Sequence, residues 1–316
     1  MSAQISKDTT LANRLLREGK LVAIPTETVY GLAANALDAD AVIRIFETKN
    51  RPHFDPLIIH VYAQEEVSRY ATEIPEFATK LMTAFWPGPL TIVLKKSKIV
   101  PDIVTSGLDS VALRMPNHPL TLALLRETGF PLAAPSANPF GYISPTSVNH
   151  VADQLGEKIP LILDGGDCEI GVESTIVDCT GSEPVVLRLG GTSTEAMMNI
   201  VGKVEVRTYN EETPNAPGML LSHYAPRKKM LLGNIHDLLH EHSKSVSILS
   251  FKDQYFNFNN IRLSEAGDLN EAARNLFSAL RKLDADHSDL ILAETVPDYG
   301  IGRAINDRLR RASYSK

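Results

Sequence analysis

Cysteine is scarce: Cys168 and Cys179 are the two in 316 residues. Their spacing makes neither a C-x-x-C pair nor a disulfide framework, so a thiol-rich metal site and a disulfide-stapled scaffold are both set aside and a reducing compartment is expected. No run of about 18 apolar residues occurs, and the polar residues 1–10 lack the apolar segment of a signal peptide. The expectation is a cytoplasmic protein without membrane contact. Positive charge is not in excess either. With 32 Lys and Arg against 38 Asp and Glu, the net charge is −6, which argues against a protein whose main business is coating phosphate backbones. Neither G-x-x-x-x-G-K-[ST] nor G-x-S-x-G is found, so no P-loop announces ATP and no nucleophile elbow announces acyl transfer.

What is present is an ordinary globular balance, 43% hydrophobic and 22% charged, in a chain long enough for two domains. Apolar periodicity predicts helices over 10–19, 38–48, 76–85, 119–127 and 147–155. Asp38 is the expected N-cap of the second. Short apolar runs predict strands over 21–24, 57–62, 90–94, 111–114, 132–134, 161–163, 174–177 and 185–189. The alternation is that of an α/β domain with a mixed sheet. Residues 210–227 lose periodicity around Pro214, Pro217 and Gly218, the signature of a connector. Beyond it, strands over 245–251 and 290–293 and helices over 270–283 and 301–312 make a small βαβ-like domain. The expected division is 8–200, a connector 201–227, and 228–316.

Chemistry has few obvious carriers. His236, His240 and His242 do not make a metal site, because helical spacing brings only the first two together. Gly300 and Gly302 lack the third glycine of a dinucleotide fingerprint and are better explained by helix packing. More suggestive are Lys49, Arg51, Arg114, Ser136, Asn138 and Arg188, all at loop or strand ends. Attack on a nucleotide phosphate spreads negative charge over several oxygens, and positioned Lys and Arg stabilise it. Composition alone favours ordinary surface cations.

The stretch Leu21-Val22-Ala23-Ile24-Pro25-Thr26-Glu27-Thr28-Val29-Tyr30-Gly31-Leu32 is followed in order by Lys49-Asn50-Arg51-Pro52, Pro56-Leu57-Ile58-Ile59-His60, Pro135-Ser136-Ala137-Asn138 and Ser222-His223-Tyr224-Ala225-Pro226. This series resembles the YrdC-like family of threonylcarbamoyl-AMP synthases in its longer, two-domain form. The resemblance implies a YrdC-like twisted mixed-sheet domain followed by a small Rossmann-like βαβ domain. It also implies an adenylyl transfer in which L-threonine, bicarbonate or CO2, and ATP give threonylcarbamoyl-AMP and pyrophosphate. The product would serve N6-threonylcarbamoyladenosine formation in tRNA.

By motif position, Thr28, His60, Arg114, Ala134 and Ser174 would hold threonine, with Arg114 on its carboxylate. Arg51, Asp55, Ser110, Ser136, Ser144, Arg188 and Tyr224 would hold ATP. Lys49 and Asn138 would complete the paired K-x-R and S-x-N elements at the phosphates, so Lys49, Arg51, Ser136 and Asn138 are the expected catalytic set. Mg2+ would accompany ATP, with no protein ligand assignable. The connector, through Tyr224, would act as a lid. The expected partner is a downstream tRNA threonylcarbamoyl transferase complex, with direct tRNA or RNA contact left open. Two alternatives stand beside this: an RNA-binding module, and a carbamoyl-transfer enzyme of the wider family. The zinc-binding regions of the latter could not be built from two isolated cysteines.

Overall fold

The computed structural model describes residues 2–208, 223–242 and 245–314. Its larger part is built on one mixed sheet of 12 strands, running in the order Gln4–Ser6, Leu161–Leu163, Val22–Ile24, Gly31–Asn35, Leu132–Ala133, Ile58–His60, Ser110–Arg114, Leu90–Lys96, Thr175–Asp178, Val185–Arg188, Glu205–Val206, with Ala71–Glu73 added against Leu90–Lys96. Central neighbours alternate in sense. Ile58–His60 runs parallel to Ser110–Arg114 and antiparallel to Leu132–Ala133, while Leu90–Lys96 runs antiparallel to Ser110–Arg114 and parallel to Thr175–Asp178. Register aligns His60 with Arg114 across the parallel pair. Two side chains from distant sequence therefore leave the same end of the sheet together.

The helices begin and end where their sequences dictate. Asp38 caps Ala39–Lys49 by accepting the amides of Asp40 and Ala41, as expected of a short carboxylate at that position. The same helix stops at Asn50, whose left-handed φ of 52° suits an asparagine. That turn leaves Lys49 as the last helical residue and sends the chain back toward the sheet at Arg51. Ser147, not an apolar residue, caps Val148–Leu155 by accepting the amide of His150.

Several strands escaped sequence reading. Gly31–Asn35 consists of glycine, alanine, leucine and asparagine, poor strand formers on average. It is a strand because it runs through the crowded centre, where a side chain on Gly31 would sit 3.1 Å from the Ala134 methyl. Gln4–Ser6 and Glu205–Val206 join opposite edges of the large sheet. The sheet thus takes strands from both sides of the expected span 8–200, the second from within the expected connector.

The smaller part carries a four-stranded, wholly parallel sheet in the order Lys229–Leu232, Leu290–Ala293, Val246–Ser250, Asn259–Arg262. Its long helix Leu269–Ala285 packs on the larger part, so that Val29, Ile143, Val172 and Tyr224 share one apolar cluster with Leu276, Phe277 and Leu280. Gly171, at φ +81°, permits this: a Cβ there would lie 2.4 Å from Arg274 Cα. Arg281 donates to the carbonyls of Ile143 and Ser144, and the Tyr142 hydroxyl donates to Asp284 at 2.6 Å. Residues 209–222, including most of the expected connector and Ser222 of its motif, lie outside the described residues.

Candidate active site

A cavity opens where the carboxyl ends of Ile58–His60 and Ser110–Arg114 meet the loops after residues 25 and 134. Its walls include Lys49, Arg51, His60, Arg114, Ala134, Ser136, Asn138, Ser174, Arg188 and Tyr224, ten of the residues expected from sequence to serve the site. The distant cations do converge.

The two paired elements meet physically. Lys49 Nζ donates to the carbonyls of Ser136 and Asn138, each at 2.5 Å, and the Phe140 amide returns a bond to the Lys49 carbonyl at 2.9 Å. An ammonium has three N–H donors, so one is left for a ligand. Burial, reinforced by the neighbouring Arg51, lowers the Lys49 pKa well below its usual value, while Asp55 opposes the shift. An anion entering the cavity would favour the charged form.

Arg51 is braced within its own loop: Nε donates to the Asp55 carbonyl at 3.1 Å, Nη2 to the Pro56 carbonyl at 2.9 Å, and Nη2 pairs with the Asp55 carboxylate at 2.9 Å. Asp55 is thus the counter-ion of Arg51 and lines no part of the cavity. On the far side, Arg114 donates to Thr28 Oγ1 at 3.0 Å and to the Gly88 carbonyl at 3.3 Å, and meets Glu27 Oε1 at 2.8 Å. Thr28 therefore acts on the cavity through Arg114, from behind the wall. His60 is held neutral, its pKa pushed down to about 3 by burial and then by Arg114, and its Nδ1 lacks a hydrogen-bond partner. Arg188 reaches the Ser174 carbonyl at 2.9 Å and its hydroxyl at 3.0 Å, and Ser174 also bonds Thr91 at 2.7 Å.

Two expected residues stand apart. Ser144 is buried behind the wall, donating to Glu173 Oε1 at 2.6 Å. Ser110 begins the strand that Arg114 ends, so it lies about 13 Å away at ~3.3 Å per residue. It lines a separate surface depression with Val93 and Leu187. An apolar strip on the sheet, Ile58, Ala112, Val93, Ile176 and Leu187, runs between the two.

Sequence reading missed Glu27, Glu173 and Phe140. Glu27 and Glu173 are buried carboxylates adjoining Thr28 and Ser174, and Glu173 is the acidic residue in the cavity wall. The available signal was their place inside otherwise uncharged, strand-flanking stretches, where a carboxylate must find a partner.

Tyr224 lines the cavity. It is buried, at a left-handed φ of 62°, with its ring stacked on Phe277 at 5.6 Å and touching the His223 ring at 4.1 Å. The enclosed space is about 50 Å³, enough for a few waters. Ligand pockets are typically of several hundred Å³. Among the described residues no group of three or more His, Cys, Asp or Glu could hold a metal.

Fold and cavity define an α/β protein with a cavity lined by buried Lys and Arg side chains. The family model described as "Telomere recombination", covering Sua5, YciO and YrdC, matches residues 14–190, and that described as "Threonylcarbamoyl-AMP synthase, C-terminal domain" matches 192–313. The chain is similar to the threonylcarbamoyl-AMP synthase of Pyrococcus abyssi, 46% identical over 96% of this chain and 93% of that one. The Bacillus subtilis synthase is 42% identical over 96% and 92%. A crystal structure of P. abyssi Sua5 complexed with L-threonine matches with TM-score 0.93 and 43% identity, covering 99% of this chain and 97% of that one. The chain belongs to the Sua5/YciO/YrdC family, in its two-domain form.

Proposed function

We infer that this protein is an ATP-using threonylcarbamoyl-AMP synthase. The observation that carries the reading is the convergence of Lys49, Arg51, Arg114 and Arg188 on one buried cavity, in a chain whose full-length relatives bear that activity. Threonine lies on the Arg114 side, its carboxylate on that guanidinium and its neighbour His60 supplying a neutral imidazole. ATP places its phosphates among Lys49, Arg51 and Arg188, and its base toward Ser110 along the apolar strip.

The threonine amine adds to CO2 and loses a proton to give a carbamate, or condenses with bicarbonate with loss of water. A carbamate oxygen then attacks the α-phosphorus, the bond to the bridging oxygen breaks, and pyrophosphate leaves with that electron pair. Both reacting partners are anions, and the cavity's cations let them approach against mutual repulsion. The third Lys49 donor and the Arg forks meet charge that grows as the bond to pyrophosphate breaks. The available carboxylates each face a guanidinium and make no metal cage, so Mg2+ would enter on the nucleotide's own phosphates and neutralise part of their charge. His223 and Tyr224 line a space of about 50 Å³, too small for a nucleotide, so in this reading they shift on nucleotide entry and their segment is the lid.

The product is labile and passes to a tRNA threonylcarbamoyl transferase complex in the cytoplasm. No described helix is long and apolar enough to cross a membrane. An RNA-binding module is disfavoured because the cations that define the site are buried, Lys49 at 1% and Arg51 at 7% exposure, beyond the reach of a polynucleotide backbone. The test is incubation with ATP, bicarbonate and L-threonine, omitting each in turn while following pyrophosphate. Release that persists without threonine would refute the reading. Serine, lacking one methyl, should be disfavoured by ~1–3 kcal/mol.

A further inference from the structure

The helix Gly302–Ser313 turns a charged face to the interior: Asn306, Asp307, Arg308 and Arg311 are all buried. Withdrawing guanidinium groups from water is expensive unless each is paired and hydrogen-bonded, and here the pairings lead out of the small domain. Arg308 Nε donates to Glu173 Oε2 at 2.9 Å, in the cavity wall, and Nη1 donates to Asp307 Oδ2 at 2.8 Å. The same guanidinium lies 5.0 Å from the centre of the Tyr224 ring, a cation–π distance. Its Nη2 is buried with no hydrogen-bond partner. Arg311 binds Asp307 at 3.0 Å and the Thr208 carbonyl at 2.9 Å, and its own carbonyl accepts the His223 amide at 3.4 Å. A single turn of this helix therefore grips Thr208, His223 and Tyr224, and reaches Ser144 through Glu173.

We propose that the small domain is a clasp for the nucleotide half of the cavity, with Arg308 the positioning residue that holds Tyr224 and Glu173 in place. The proposal rests on the synthase reading for the identity of the nucleotide. Glu173 faces the space where phosphates would lie, and an unbalanced carboxylate there would repel them. Arg308 supplies the balance from behind. The threonine side, built on Arg114, Thr28 and Glu27, makes no contact with this helix in the bonds described above.

Calorimetric titration with a non-hydrolysable ATP analogue, and separately with L-threonine, tests the clasp on the full chain. Arg308→Met should weaken the analogue at least tenfold and leave threonine affinity within twofold, while Arg308→Lys, which keeps the charge without the fork, should fall between. Adding Glu173→Gln to Arg308→Met removes the stranded carboxylate and should recover part of the loss. Arg310→Ala, on the exposed side of the same helix, should match the wild type in both titrations. A lowered melting temperature for Arg308→Met with unchanged nucleotide affinity would overturn the proposal, as would equal loss of both ligands or no recovery on adding Glu173→Gln. Wild-type protein that binds the analogue but releases no threonine-dependent pyrophosphate would sink the synthase reading and leave the clasp to its binding data. Wild-type protein that binds no nucleotide would sink both.

Discussion

Replacing Lys49 by alanine isolates the role of one buried charge. Its ammonium spends two donors on the carbonyls of Ser136 and Asn138, and the proposed mechanism gives the third to the reacting phosphate. Removing a preorganised donor at a site of developing charge typically lowers turnover by ~10²–10³, or about 2.7–4 kcal/mol of transition-state stabilisation. Ground-state binding should suffer less, because Arg51 and Arg188 still line the cavity in which the triphosphate is proposed to lie. The substitution also strands two carbonyls, each worth ~1–3 kcal/mol if no water replaces the donor, so a lower melting temperature is expected alongside. Steady-state pyrophosphate release at saturating threonine and bicarbonate, with ATP varied, separates these effects. The expected result is a kcat lower by at least a hundredfold with KM for ATP changed only a few-fold. A normal kcat with a large rise in KM would refute the argument, since it would mean that Lys49 holds the nucleotide equally in ground and transition states.

Other outcomes follow from the same geometry. His60 stays neutral in the fold down to about pH 3, against an ordinary value of 6.5, so the unfolded chain binds the extra proton and stability falls as pH drops from 6.5 toward 3, by about 1.4 kcal/mol per pH unit at most. Thermal melts across that window should show a shallower loss for His60→Gln than for the wild type; parallel slopes would assign the acid sensitivity elsewhere. Tyr224→Ala removes a ring that lines the cavity and stacks on Phe277 and should impair adenylate formation while circular dichroism shows the larger part still folded; unchanged turnover would remove the lid. Gly171→Ala places a methyl against Arg274 at a positive φ and should destabilise the packing of the two parts by more than ~1 kcal/mol, read as earlier melting and faster proteolysis between them.

The longer helices were legible because caps and apolar spacing are local, as with Asp38 and its helix, whereas short ones such as Thr194–Val201 and Ile235–Glu241 were missed. Strands were legible when β-branched or leucine-rich, as at Leu90–Lys96, and hidden when made of small residues, as at Gly31–Asn35, whose extended form is imposed by crowding from Ala134. Most of the site followed from motif order, yet its second layer did not. That Thr28 works through Arg114, or that Asp55 serves Arg51, depends on contacts across turns that no spacing rule encodes. Arg308 was hidden for a related reason. A helix that buries guanidinium groups against carboxylates from another part of the chain reads, by periodicity, as an ordinary surface helix with a charged face.

The ion pair between Glu173 and Arg308 crosses the border between the two folded parts. The larger part therefore carries a buried carboxylate whose ion-pair partner comes from the smaller part, while Arg308 also keeps Asp307 on its own helix, and a chimera that exchanged the smaller part for an apolar-walled equivalent would inherit a stranded carboxylate in its cavity wall. The two halves form a single heritable unit, and viable recombination between distant relatives would need either to keep both members of that pair or to lose them together.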